Sequence, residues 1–174
     1  MRKRRVRGPK SALDEALFLL EEGVARMSAM QVKNGEAQVI AALGEACLMS
    51  GRHNEAAVHA ERALKIAHDR GERGSQAWAL RLTGEVAAAD GSKSAAAFSA
   101  FREAVGIAEE LGMRPLLAHC HLGLGQLHKR VDEREAASMH LSTALRLYRE
   151  MDMDHWLQRA EAAADGYISP VTTA

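Results

Sequence analysis

The sequence predicts an all-α protein built from repeated helix pairs. Three observations carry this. The composition favours helix: 47% of residues are hydrophobic, much of that alanine, and only 4% are aromatic. The chain has 3 prolines, and no stretch alternates β-branched and aromatic residues as a strand would. Finally, the chain repeats itself at an offset of 40 or 41 residues. Gly44, Gly84 and Gly125 correspond, as do Ala56, Ala97 and Ala137, and then Ala63, Ala104 and Ala144.

Residues 1–10, "MRKRRVRGPK", hold six basic side chains and read as a basic, disordered leader. They lack the apolar core of a secretory signal. Residues 11–31 carry a helical stripe of Leu13, Leu17, Leu20, Val24 and Met27. This looks like the second half of a repeat. Three full repeats follow, at 35–70, 74–111 and 115–151. Glycines mark helix ends at Gly51, Gly71, Gly91 and Gly112, where a left-handed residue closes a helix. Pro115 suits a first helical turn. Ser11 with Asp14, and Asp132 with Glu135, have capping-box spacing. Residues 155–165, with Trp156, Leu157 and Ala160, read as a capping helix, and 166–174 as a flexible tail. The total is about seven or eight helices in one domain, 11–165.

Each pair fits a known pattern. "LRLTGEVA" and "AFSAF" have the spacing of W-x2-L-G-x2-Y followed by A-x3-F, with Ala97 and Phe101 as literal matches. The chain thus resembles the tetratricopeptide repeats. The resemblance implies a right-handed superhelix of antiparallel helix pairs. The period exceeds that family's usual length of about 34 residues, so longer helices are expected. "GERGSQAWALRLTGEVAA", "EELGMRPLLAHCHLGLGQLHKR" and "HLSTALRLYREMDMDHWLQRAEA" are also similar to the C-terminal repeat region of bacterial adenylate/guanylate cyclase–ATPase fusion proteins. Those proteins carry a nucleotide-binding module. Here "GEVAAADGSKS" has no G-K-S/T step, so their enzymatic activities do not transfer. The implied role is a regulatory module or shortened relative of such a signalling protein.

The stretch 114–130 places His119, Cys120, His121 and His128 close together. Consecutive helical residues point about 100° apart, so the first three cannot converge on one ion. No ligand type lies three or four residues after any of them. A metal site here needs ligands from elsewhere, and neither metal nor cofactor is expected. His121 and His128 take the motif's Trp and Tyr positions and are expected to pack between helices. Cys120 is expected to be buried and inert. Cys47 and Cys120 make no disulfide framework.

Repeat stacking lines a concave groove with the first helix of each pair. Its expected partner-binding residues are Gln38, Glu45, Trp78, Arg81, Glu85, His119, Gln126, Lys129 and Arg130. Trp and Arg are the types that most often dominate binding energy. Trp78 and Arg81 lie one turn apart, and His119 is the histidine expected to face a partner. Glu45 and Glu85 are equivalent in adjacent repeats, which accounts for the pair without catalysis, so no catalytic residue is expected. The reading is a non-catalytic scaffold binding a protein or peptide. The alternative is a small-ligand-sensing regulatory domain using the same groove. Weak self-association through the exposed terminal helix is expected, and nucleic-acid or membrane partners are not. No run of 18 apolar residues exists, and a cytoplasmic protein fits these observations.

Overall fold

The computed structural model describes residues 12–167. The leader, Ser11 and residues 168–174 lie outside them, so the Ser11 capping box does too. The described residues form eight α-helices: α1 Ala12–Ala29, α2 Glu36–Met49, α3 His53–Asp69, α4 Arg73–Ala89, α5 Ser94–Glu110, α6 Arg114–Arg130, α7 Arg134–Glu150 and α8 Asp154–Ala164. The protein is an all-α helical-repeat solenoid, and none of its described residues is in a strand.

Curvature follows from which helices touch. Each helix packs on the next in sequence. In addition α2 meets α4, α4 meets α6, and α6 meets α8, whereas α3 and α5, or α5 and α7, do not meet. The first helices therefore form a close inner layer, and the second helices splay on the outside.

Small residues allow the close approach within pairs. A Cβ built on Gly84 would sit 2.9 Å from the Phe101 ring, and one on Gly125 would sit 2.7 Å from Leu141. The facing alanines Ala56, Ala97, Ala137, Ala63, Ala104 and Ala144 are fully buried. Phe101 and Leu141 fill the space that glycine leaves, which is why these helices pack at alanine-and-glycine distance.

The helix ends share one device. Gly51, Gly71 and Gly112 have positive φ. The next amide then reaches back to a helical carbonyl, as Met113 N does to Ala108 O at 2.8 Å. Asp132 and Asp152 hold the same left-handed position, at φ 58° and 53°. This corrects the expectation for Asp132. It terminates α6 instead of capping α7, whose N-cap is Glu133 with no side-chain cap bond. Gly91 also differs from expectation. It opens a short 3-10 turn, Gly91–Lys93, capped by Asp90 through Ser92 N at 3.1 Å. That turn absorbs the one extra residue of the second repeat.

Candidate partner-binding groove

The first helices present equivalent positions side by side. Gln38, Trp78 and His119 form one row, and Glu45, Glu85 and Gln126 another. Two clefts open along this face. One, about 290 Å³, is lined by Gln38, Ala41, Ala42, Glu45, Trp78 and Arg81. The other, about 320 Å³, lies between Glu45, Glu85, His119 and Gln126 on one side and His155, Trp156 and Arg159 on the other. Glu45 belongs to both. Seven of the nine expected groove residues are thus brought together.

Their environments differ from expectation in two places. Arg81 is not a free contact; it is only 4% exposed. Its guanidinium bridges the repeats, donating to Glu45 at 2.8 Å and to Glu85 at 2.5 Å. Its Cζ also lies 5.1 Å from the Trp78 ring centre. Burial disfavours its charge, but the two carboxylates outweigh that and hold it protonated. Two carboxylates sharing one cation leave an excess negative charge. Burial, with Glu45 adding to it, accordingly pushes the Glu85 carboxyl above its usual range despite Arg81. Arg81 Nε is buried without a partner.

His119 is the second correction. It lines the second cleft but is only 8% exposed, so its expected open position is largely covered. Its Nδ1 shares a 2.7 Å hydrogen bond with the Tyr148 hydroxyl, and the Trp156 ring meets it edge-on at 4.3 Å. Burial, assisted by Arg81 and Arg159, pushes its pKa down to about 3, so the ring is neutral. It is a buffer between Trp78, at 5.9 Å, and Trp156.

Lys129 and Arg130 line neither cleft. Lys129 donates to Ala163 O at 2.5 Å and lies over the Tyr167 ring. Arg130 donates to Ala88 O. Each cation ties α6 to the C-terminal end of a neighbouring first helix, where the helix dipole favours positive charge. The one-turn shift along α6 takes them past the groove's end.

The residues missed from sequence are those of α8. His155, Trp156 and Arg159 form a wall of the second cleft, and Arg159 lies 4.5 Å from the Trp156 ring centre. A signal existed: "GMRP" at 112–115 recurs as "DMDH" at 152–155, an offset of 40 that sets Arg159 level with His119. Helix α8 is thus in register with the first helices α2, α4 and α6, although shorter.

Cys120 is fully buried, and burial pushes its thiol up to about 12. His128, 6% exposed, bonds Glu133 through Nδ1 at 2.6 Å and packs on Phe98. His121 meets His140 of α7, a residue the sequence did not single out. Among the described residues, no group of three or more His, Cys, Asp or Glu side chains is arranged to hold a metal ion. None of the described helices is long and apolar enough to cross a membrane.

Neither a protein-family model nor a curated protein sequence matches this chain.

Proposed function

We propose that this chain is a non-catalytic helical-repeat scaffold whose inner groove takes an extended segment of a partner protein. The observation that carries the reading is the pair of clefts meeting at Glu45, with the half-buried Trp78 and Trp156 at their flanks. Aromatics that are partly exposed on a rigid layer make good anchors, because they bury area at little entropic cost. Two small open clefts in line suit alternate side chains of an extended or helical peptide. A small-ligand sensor is favoured less, since each cleft alone lies at the low end of the roughly 300–1,000 Å³ of ordinary ligand pockets. The tetratricopeptide likeness of "LRLTGEVA" and "AFSAF" supports the same role, and the likeness to cyclase–ATPase repeat regions supports a part in signalling.

The test uses an accident of composition. The chain has 2 tryptophans, and both line the groove. Peptides selected from a displayed library should shift the intrinsic emission on binding. Trp78→Ala should weaken binding at least tenfold, with the helical content retained. Loss of thermal stability with unaltered peptide affinity would sink the reading.

Weak self-association is proposed through α1. Leu19 is 58% exposed there, and among the described residues α2 is the main helix that α1 packs on.

A further inference from the structure

The two ends of the solenoid differ. At an offset of 40 residues α1 takes the register of α3, so Ala16, Leu20, Gly23 and Met27 correspond to Ala56, Ala60, Ala63 and Ala67. Those four alanines are buried, with α2 on one side of α3 and α4 on the other. Their equivalents in α1 are only half-buried. Helix α1 packs on α2, and among the described residues no helix stands before it to complete a pair. The other end is finished differently. His121 and Gly125 of α6 meet His140 and Leu141 of α7. The matching positions of α8 are Glu161 and Asp165, both exposed. A polar outer face of this kind caps a repeat array. The corresponding face of α1 is apolar.

We propose that a second copy of this chain covers that face, α1 against α1, with the helices antiparallel across a two-fold axis. This rests on the self-association through α1 proposed above and gives it a partner geometry. Leu13, Ala16, Leu20, Gly23, Met27 and Met30 recur at alternating steps of three and four residues, the spacing of a two-helix seam. The stripe is complementary to its own reverse. With the axis between Glu21 and Glu22, Leu20 falls opposite Gly23 of the second copy, Met27 opposite Ala16, and Met30 opposite Leu13. Large side chains thus meet small ones in the two central layers, as close packing requires. A parallel alignment sets Gly23 on Gly23 and leaves a void.

The surroundings agree. Met30, one residue past α1, is 73% exposed, and Leu19 beside the seam is 58% exposed. The stem of Arg26 from the second copy covers that leucine. The carboxylates nearest the axis are paired within each chain, Glu21 with Arg52 at 3.7 Å and Glu22 with Arg26 at 3.4 Å, which lessens repulsion between the copies. A two-fold contact uses each α1 once, so assembly stops at the dimer. A head-to-tail array would instead press the charges of Glu161 and Asp165 against the apolar stripe, at a desolvation cost.

The experiment uses the full chain. Its mass in sedimentation equilibrium should rise with concentration from 18.9 kDa towards twice that value and no further. A Cβ on Gly23 would meet its own chain only at Val39, 3.9 Å away, so Gly23→Leu should keep the helical content and weaken dimerisation at least tenfold. Cross-linking reads the alignment without relying on that variant. Chains carrying Ala16→Cys and chains carrying Met27→Cys, mixed and gently oxidised, should form the mixed disulfide well ahead of either self-pairing; the native Cys47 and Cys120 are buried. A monomer at every concentration would remove self-association and this geometry together. Preferred self-pairing of the cysteines, growth beyond the dimer, or undiminished dimerisation of folded Gly23→Leu would keep self-association and overturn the antiparallel seam.

Discussion

Replacing Arg81 by methionine keeps roughly its volume and removes its charge. Glu45 and Glu85 then face each other across adjacent repeats without their shared cation. Breaking a buried ion pair from one side costs about 3–5 kcal/mol. The carboxylate side chains here keep 34% and 30% of their exposure, so water screens part of the loss. A cost of about 2–3 kcal/mol is the discounted expectation. For a chain of this size each kcal/mol moves Tm by about 2–4 °C, so a fall of roughly 4–12 °C is expected at pH 7.5. The pH dependence identifies the cause. Burial already raises the folded pKa of Glu85 above its unfolded value, and losing Arg81 removes the main influence that opposes the rise. Its destabilisation is then full at neutral pH and fades as pH falls through the raised value. The difference between wild type and Arg81→Met should therefore shrink at pH 5. Adding Glu45→Gln and Glu85→Gln should recover most of the lost Tm. Scanning calorimetry at the two pH values measures all of this. A change below about 2 °C, or an equal penalty at both pH values, would refute the argument.

The remaining predictions concern packing, protons and assembly. Gly84→Ala should destabilise by about 1–3 kcal/mol, because its Cβ would meet the Phe101 ring at 2.9 Å. Gly106→Ala, whose Cβ would meet nothing within 4 Å, should instead stabilise by up to about 1 kcal/mol, and urea melts separate the two. His119 and His140 have pKa values depressed to about 3 and about 4 by burial, so the unfolded chain binds their protons first. Stability should be full above about pH 6.5 and fall as pH drops toward those folded values, which circular dichroism melts from pH 7.5 to pH 4 would follow. Leu19→Glu on α1 should reduce the weight-average mass in light scattering at high concentration; an unassociated wild type would remove that role from α1.

The architecture was legible because the repeat shows in the sequence as equivalent glycines and alanines. Close packing permits little else at Gly84, Gly125, Ala97 or Ala137, so composition at these positions records contact. The groove was legible only in outline. Repeat register put Arg81 and His119 on the correct face, but register says nothing about depth. Arg81 is buried because Glu45, one repeat away, and Glu85, one turn away, both reach it. His119 is buried because Trp156 of α8 covers it. Both facts depend on partners distant in sequence. Asp132 misled for a related reason. An aspartate with a glutamate three residues later has the spacing of a cap, yet Asp tolerates left-handed φ and ended the preceding helix instead.

The departures from the repeat are where the groove acquires its character. At the position of Arg81 the neighbouring repeats carry Ala41 and Leu122, so the ordinary solution there is apolar. An apolar residue with neutral neighbours would be as stable as the ion triad, since buried ion pairs seldom outdo well-packed hydrophobic replacements. Stability therefore gives no reason for an arginine held between two carboxylates at the junction of the two clefts. Under the proposed function recognition would: the triad fixes Trp78 by its cation–π contact and sets Glu45 as a partly exposed acceptor in both clefts. The variant carrying Arg81→Met, Glu45→Gln and Glu85→Gln isolates this. It should melt within a few degrees of wild type and yet bind the selected peptides at least tenfold more weakly, read by tryptophan emission. Full peptide affinity in that stable variant would leave the triad a packing feature and move recognition to Trp78 and Trp156 alone.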